Sequence, residues 1–583
     1  MGGKKADLSA ITDEFKGIDP ITDQELNSFW IRLGRLKLRT SWNDVHWTSK
    51  AGPNGPALKS CYVDLKVLPK ELIEALDVIG GPGFVRFRES LTPIVLAKWS
   101  ALKDVFKFKD PKEPCIRKLS YKADREAKTR VFAILDYWSQ SVLLPIHKGL
   151  FYLLKLLPRD VTFDQGRLMS LLVKMPGPFY SYDLTSATDR FPIEIQLRLL
   201  SKLTSPEIAE AWRTIMVKFE YKTPEGSSVL YRTGQPMGAY SSWALFTLCH
   251  HMIVYVAAKR SKIRNFRDYA LLGDDIVIAN SAVAKAYRDI LLSMNVDISE
   301  AKSHVSNNTF EFAKRWFVDR QEVSPFPLAG FMEVSKKYYL LYELLENQIS
   351  QRGMVKLSDF GNLSLTSLVH LIASTDRLRT ILYKRLKILI NFPNYTGCIA
   401  EFESKVMNFL RIVQIPHSCN HSPAVLAQLL AETVKEYVTE EDKEVGDRVR
   451  NKINKWLDAT RDDSVTNPSG LDDQSMLTRR ELTSFAPQIL VMDQFETSQY
   501  VWAAKMVDST SIPDIWDVFK NVTQLLLPEF EGVNPMRTLD RIAGSKTVTI
   551  LKITRMATKA LGPHIEPYVP WDPFAELRKK RSE

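Results

Sequence analysis

Between Gly234 and Ala258 the chain runs for 25 residues without a Lys, Arg, Asp or Glu. Two environments tolerate such a run. One is a bilayer, which the stretch is long enough to cross; the other is a protein large enough to surround a helix on every side. Gln235, Ser241, Ser242, Thr247 and the adjacent His250 and His251 interrupt it with groups that are expensive in lipid. The reading is therefore a buried central helix, with no integral membrane segment. At 583 residues, 45% hydrophobic and 25% charged, the chain is large enough to bury one. The same composition excludes collagen-like, disulfide-stapled and wholly disordered chains.

The net charge of +11 favours polyanionic partners without distinguishing RNA, DNA and anionic lipid. The excess is concentrated: residues 98–130 carry eleven Lys or Arg against five Asp or Glu. Five scattered cysteines, odd in number and without a C-x-x-C pair, predict free thiols and no zinc framework. Gly52-Pro53-Asn54-Gly55-Pro56 and Gly80-Gly81-Pro82-Gly83 read as loops, and Arg461 to Ser475 as a linker. From about Tyr338 the pattern is mostly helical. His417-Ser418-Cys419-Asn420-His421 has metal-capable side chains but no fourth ligand at a usual spacing, and reads as a loop.

Leu271-Leu272-Gly273-Asp274-Asp275-Ile276-Val277-Ile278 sets two carboxylates between short apolar runs, as a hairpin would at its turn. A second acidic element lies upstream. Phe179 to Asp183 reads as an aromatic-rich strand ending on an acid, and Pro192 with the apolar residues after it as a helix starting just beyond Asp189. A strand-end carboxylate beside a hairpin bearing Asp274 and Asp275 supplies ligands for two Mg²⁺ ions about 3.5–4 Å apart, the clamp used in phosphoryl transfer. Between the two lies Gly234-Gln235-Pro236-Met237-Gly238-Ala239-Tyr240-Ser241-Ser242-Trp243. In that loop Gly238 lets backbone approach a ligand, and Ser241 or Ser242 is placed to cap the helix or to donate to a sugar hydroxyl.

The order of these elements, followed by Lys302-Ser303 and by Phe310-Glu311-Phe312-Ala313-Lys314-Arg315, resembles motifs A to E of viral RNA-dependent RNA polymerases, and most of all those of mitoviruses. Lys118 to His147, with Lys128-Thr129-Arg130 and Asp136-Tyr137-Trp138-Ser139-Gln140, resembles motif F and the segment after it. The resemblance implies an α+β right-hand polymerase. Its parts would be an N-terminal and fingers region over 1–97, a basic fingers segment over 98–175, a palm over 176–345 with a fingers insertion near 193–233, and a helical thumb and C-terminal region over 346–583. It also implies a role for each matching residue. Asp183, Asp274 and Asp275 would hold two Mg²⁺, with Mn²⁺ able to substitute, and Lys302 would protonate leaving pyrophosphate. Lys128, Arg130, Asp189, Gly238 and Ser242 would bind the ribonucleoside triphosphate, while Lys118, Lys122, Arg125, Lys314 and Arg315 would meet template and product RNA. Where many related polymerases carry an Asn four residues after Ser242, this chain has Phe246.

Two rival readings follow from the same residues. A reverse transcriptase or maturase usually has a bulky aromatic at the sugar-gating position and another two residues before the aspartate pair; here Asp189 and Leu272 stand there. An inactive RNA-binding relic is disfavoured by the presence of Asp183, Asp274, Asp275, Lys128 and Arg130. An N-terminus with neither an apolar signal core nor an acid-poor, Arg-rich transit sequence agrees with translation and replication inside the mitochondrial matrix, as the family implies.

Overall fold

The computed structural model describes residues 6–42, 50–100, 111–123, 129–164 and 175–324, a few isolated positions beside these, and parts of 330–432 and 554–570. Lys128 and Arg125, His417 to His421 and the stretch Arg461 to Ser475 lie outside the described residues. The described residues form two compact units, one ending at Ser324 and the other beginning beyond it.

In the first unit, helices α1 (Asp23–Arg32), α2 (Ala57–Val67) and α3 (Lys70–Ala97) precede strands β1 (Arg117–Ala123) and β2 (Thr129–Leu135) and helix α4 (Tyr137–Leu156). Then come β3 (Phe179–Asp183), α5 (Ile193–Leu203), α6 (Pro206–Val217), α7 (Ser242–Arg260), β4 (Tyr269–Leu272), β5 (Asp275–Ile278), α8 (Ser281–Ser293), β6 (His304–Ser306), β7 (Thr309–Phe312) and β8 (Arg315–Val318). Strands β6, β3, β5 and β4 make one antiparallel sheet in that order. The two-residue connection between β4 and β5 leaves only a tight hairpin, and alternating residues of β3 such as Phe179 and Ser181 bury one face.

Helix α7 is the centre of the unit. Fifteen of its 19 residues are buried, including His250 and His251, so most of the helix is surrounded by protein. No helix among the described residues is long and apolar enough to cross a membrane. At its far end Arg260 reaches back to Glu25 at 2.8 and 2.9 Å, and Glu25 also closes the capping box of α1 with Thr22. Though partial burial opposes it, the Arg260 guanidinium and the Thr22 hydrogen bonds hold the Glu25 carboxyl down at about 2.

Gly80 to Pro82 form a sharp break within α3 rather than a longer loop: two helical stretches meet at Gly81, which takes φ +71°. Only glycine enters that region without a steric cost, and Pro82 can restart a helix because a first-turn residue needs no donor. Strands β1 and β2 are fastened to α4 by a buried ion pair between Arg117 and Asp136. Asp136 also caps α4, accepting from Ser139 N at 2.7 Å, and Arg117 donates to Ser139 Oγ at 3.0 Å and to the Ile215 carbonyl at 3.2 Å. Cys61, Cys115 and Cys249, the cysteines among the described residues, form no disulfide with one another.

The second unit contains helices α9 (Asn362–Ile372), α10 (Asp376–Asn391) and α11 (Ile399–Ile412), the helical character expected beyond Tyr338. Thr375 caps α10, and Tyr383, Leu386 and Leu389 on its inner face pack with Leu365 and Val369 of α9.

Candidate active site

The β4–β5 hairpin turns in two residues, with Leu272 paired to Asp275 across Gly273 and Asp274. Gly273 takes φ +62°, the position a tight hairpin reserves for glycine. A Cβ there would also lie 2.7 Å from the Trp243 indole nitrogen. Beneath the turn, His250 Nδ1 sits 2.7 Å from the Gly273 carbonyl and His250 Nε2 2.7 Å from the Tyr287 hydroxyl. A carbonyl only accepts, so Nδ1 carries the proton and Nε2 accepts from Tyr287. Burial pushes the imidazole down to about 3, which keeps it in this neutral form.

On the neighbouring strand Asp183 stands directly opposite Asp275. Like charges so placed repel. Burial, followed by Asp274, Glu311 and Asp183, pushes Asp275 up to about 7; Asp274 is raised mainly by burial, with Lys302 and Arg130 opposing. Lys302 Nζ lies 2.6 Å from Asp183 Oδ2. The structure thus brings Asp183, Asp274, Asp275 and Lys302 together, with the field of Arg130 acting on Asp274. Glu311, a residue without a role in the motif pattern, joins them: it too is raised by burial and by Asp183, and it accepts from Lys314 N at 2.7 Å. Its signal in the sequence is a single acid between Phe310 and Phe312 in an alternating strand.

As placed, no three acids or histidines among the described residues converge on one point as an ion would require. The donor set nevertheless suits a hard divalent cation. All the donors are carboxylate oxygens, and two of them face each other in a field that resists their joint ionisation.

The Gly234–Trp243 segment is held from three sides. Ala133 N of β2 donates to the Met237 carbonyl at 2.7 Å, Gln140 of α4 clasps both Gly238 O at 3.0 Å and Tyr240 N at 2.8 Å, and Ser241 N donates to His147 Nδ1 at 3.1 Å. Gly238, at φ +121°, presses against β2, and a Cβ would stand 2.4 Å from Ala133 O. Its immediate neighbour is therefore protein backbone. Neither serine caps α7 with its side chain: Ser241, at the N-cap position with φ +69°, accepts instead from Trp212 Nε1 at 2.8 Å. Ser242 Oγ and Gln235 Oε1 are buried without a hydrogen-bond partner among the described residues. Gln235 N donates to the Thr188 carbonyl at 2.9 Å, which brings this segment onto the turn bearing Asp189. Burial pushes Asp189 up to about 7 against the opposing charge of Arg190. Phe246 packs edge-on to Phe191, with ring centroids 5.3 Å apart.

The basic residues separate into different environments. Lys118 is half-buried on β1, while Lys122, exposed near the end of that strand, stands directly opposite exposed Arg130 on β2. Lys314 is exposed at the tip of the β7–β8 hairpin. Arg315 is 8% exposed, and its guanidinium is forked onto Glu322 at 3.0 and 2.6 Å. Its side chain turns inward because alternation along β8 puts it on the buried face with Phe317.

Residues 38–520 match the family described as mitovirus RNA-dependent RNA polymerase. The RNA-directed RNA polymerase of Cryphonectria parasitica mitovirus 1 is 34% identical over 367 residues, 60% of this chain, and the chain spans 45% of that protein's length. An uncharacterized mitochondrial protein of Arabidopsis thaliana is 40% identical over 200 residues, covering 32% of this chain and 78% of the relative. A solved structure, the insertion-loop deletion mutant of a human picobirnavirus RNA-dependent RNA polymerase, covers 69% of this chain and 91% of its own at 12% identity and a TM-score of 0.35, too distant to add to the fold. With its acid pair at a hairpin tip, a third acid on the facing strand and 483 residues matched to one family, the chain belongs to the mitovirus RNA-dependent RNA polymerases.

Proposed function

We propose that the protein is an RNA-directed RNA polymerase that copies a viral RNA genome within mitochondria by nucleotidyl transfer on two divalent ions. The observation that carries this reading is the facing of Asp183 and Asp275 beside Asp274, under the fields of Lys302 and Arg130. Mg²⁺ bound there would act as a Lewis acid toward the attacking and leaving oxygens, a part Mn²⁺ can also take.

The chain's own groups supply the rest. Asp183, Asp274 and Asp275 hold the ions. Arg130 and Lys128 draw the triphosphate toward the acids by charge-assisted hydrogen bonds. Lys302, on Asp183 in this structure, moves to the leaving pyrophosphate and donates a proton from Nζ. Ser242 Oγ, buried and unpaired among the described residues, gains a partner in the ribose 2′-OH, with Asp189 beside it. Gly238 keeps the loop beneath the nucleotide seated on β2. Lys118, Lys122, Arg125 and Lys314 meet the phosphates of template and product, contacts that carry no sequence information. Fingers, palm and thumb correspond to the basic ribbon, the four-stranded sheet with α7, and the helices beyond residue 345.

The test is extension of a primed RNA template by the full chain with ribonucleotides and Mg²⁺. Asp274→Asn should abolish extension while RNA binding survives; extension near the parental rate would overturn the assignment of the acids.

A further inference from the structure

A second basic feature lies away from the catalytic turn. A cavity of about 1030 Å³ is lined by Arg32, Arg159, Lys259, Lys262, Arg264 and Arg267, and no Asp or Glu contributes to its wall. Arg32, Lys259, Lys262, Arg264 and Arg267 form no salt bridge among the described residues: Arg32 reaches the Asn265 amide oxygen at 3.2 Å and Lys259 the Ser28 hydroxyl at 3.0 Å, both neutral acceptors. So many cations around one hollow repel one another unless an anion enters.

The wall is also aromatic. Phe266 and Tyr269 stack with centroids 5.7 Å apart and planes within 8°, and Arg32 lies over the Tyr255 ring at 5.5 Å. The floor is rigid, because buried His251 is tied to both Asp160 and Tyr269, at 3.1 and 3.0 Å. It is built from the C-terminal half of α7 and the first residue of β4, whereas the catalytic turn follows the last residue of β4. Four residues of strand separate the two by on the order of 13 Å.

We propose that this cavity binds single-stranded RNA outside the catalytic cleft, an inference that rests on the polymerase reading. Cations spread along a groove with stacked rings in its wall are the combination that holds an unpaired strand, phosphates on the charges and bases on the rings. The hollow, about 1030 Å³ and partly open to solvent, has room for unpaired nucleotides. An anionic phospholipid would satisfy the cations but not use the stacked aromatic pair.

The experiment uses the full chain carrying Lys262→Glu, Arg264→Glu and Arg267→Glu together, with Phe266→Ala as a separate variant. Binding of a long unstructured RNA is followed by fluorescence anisotropy at several salt concentrations, beside extension of a short primed template. The triple variant should bind about tenfold or more weakly, with the slope of log K against log salt reduced by about two, since each lost phosphate contact on a single strand removes about 0.7. Phe266→Ala should weaken binding about tenfold with the slope unchanged. Short-template extension should stay at the parental level in both. RNA affinity and slope unchanged in the triple variant overturn the proposal, as does loss of sedimentation with anionic phospholipid vesicles while RNA binding persists. Failure of the parental chain to extend the short template is separate, and strikes the polymerase reading itself.

Discussion

The imidazole of His250 donates from Nδ1 to the carbonyl of Gly273, 2.7 Å away, and so fixes from below the turn that presents Asp274. Removing the ring orphans two buried groups at once, that carbonyl and the Tyr287 hydroxyl. His250→Phe should cost about 2–4 kcal/mol in chemical denaturation. It should also lower kcat with little change in nucleotide KM, because it loosens the acids and not the triphosphate contacts. Tyr287→Phe leaves the Gly273 bond in place and should cost about 1 kcal/mol with kcat near parental. Equal losses of kcat in both would remove the special place of the carbonyl contact.

The facing acids make stability depend on pH. Asp275 is raised from 3.8 to about 7, so the folded state holds its proton more tightly than the unfolded chain does. Its contribution is fully present below about pH 4 and is lost as pH rises through about 7. In chelator, the melting temperature should therefore fall across that window, and Asp275→Asn should flatten the fall. Mg²⁺ should raise the melting temperature most at the alkaline end, where the carboxylates are ionised and free to bind it. Differential scanning fluorimetry across pH, with and without Mg²⁺, reads all three effects.

Sugar choice should titrate as well. Burial raises Asp189 to about 7, and its ionised form accepts the 2′-OH hydrogen bond more strongly than the neutral acid does. Preference for ribo- over deoxyribonucleotides should increase as pH rises through about 7 in the parental enzyme. In Asp189→Asn it should be lower and flat across the same range. Competition between the two triphosphates at several pH values measures it, and a parental slope surviving in Asp189→Asn would place the titrating group elsewhere.

The ion pair under the basic ribbon should be the costliest to break. Arg117 and Asp136 are both fully buried, so Asp136→Ala or Arg117→Ala leaves an uncompensated charge and should destabilise by about 3–5 kcal/mol. Replacing both by apolar residues of similar volume should recover much of that loss. Urea unfolding of the single and double variants gives the comparison; single variants within about 1 kcal/mol of the parent would mean that the pair contributes little.

Features specified by neighbours in the chain are legible in the amino-acid order alone. The Gly273 turn needs only apolar runs on either side, and the enclosure of α7 needs only the missing charges between Gly234 and Ala258. Features made by distant partners are not. His250 reads as a polar interruption until Gly273 and Tyr287 meet its two nitrogens, and nothing in the sequence shows that Ala133 O stands beside Gly238 or that Glu322 closes on Arg315. In each case the residue type is conspicuous and its partner lies on another strand or helix. The acids of the hairpin and of β3 can be read together because motif order, a long-range property, stands in for the missing contact.

Lys122 and Arg130 face each other across the ribbon formed by β1 and β2. Like charges directly opposite on a strand pair repel, and on the polymerase reading the phosphates of bound RNA would offset that repulsion. Binding of a polyanion there and maintenance of the fold would then be linked equilibria, the loaded form gaining stability by mass action. The amide protons of the ribbon should therefore exchange more slowly with RNA bound than without it.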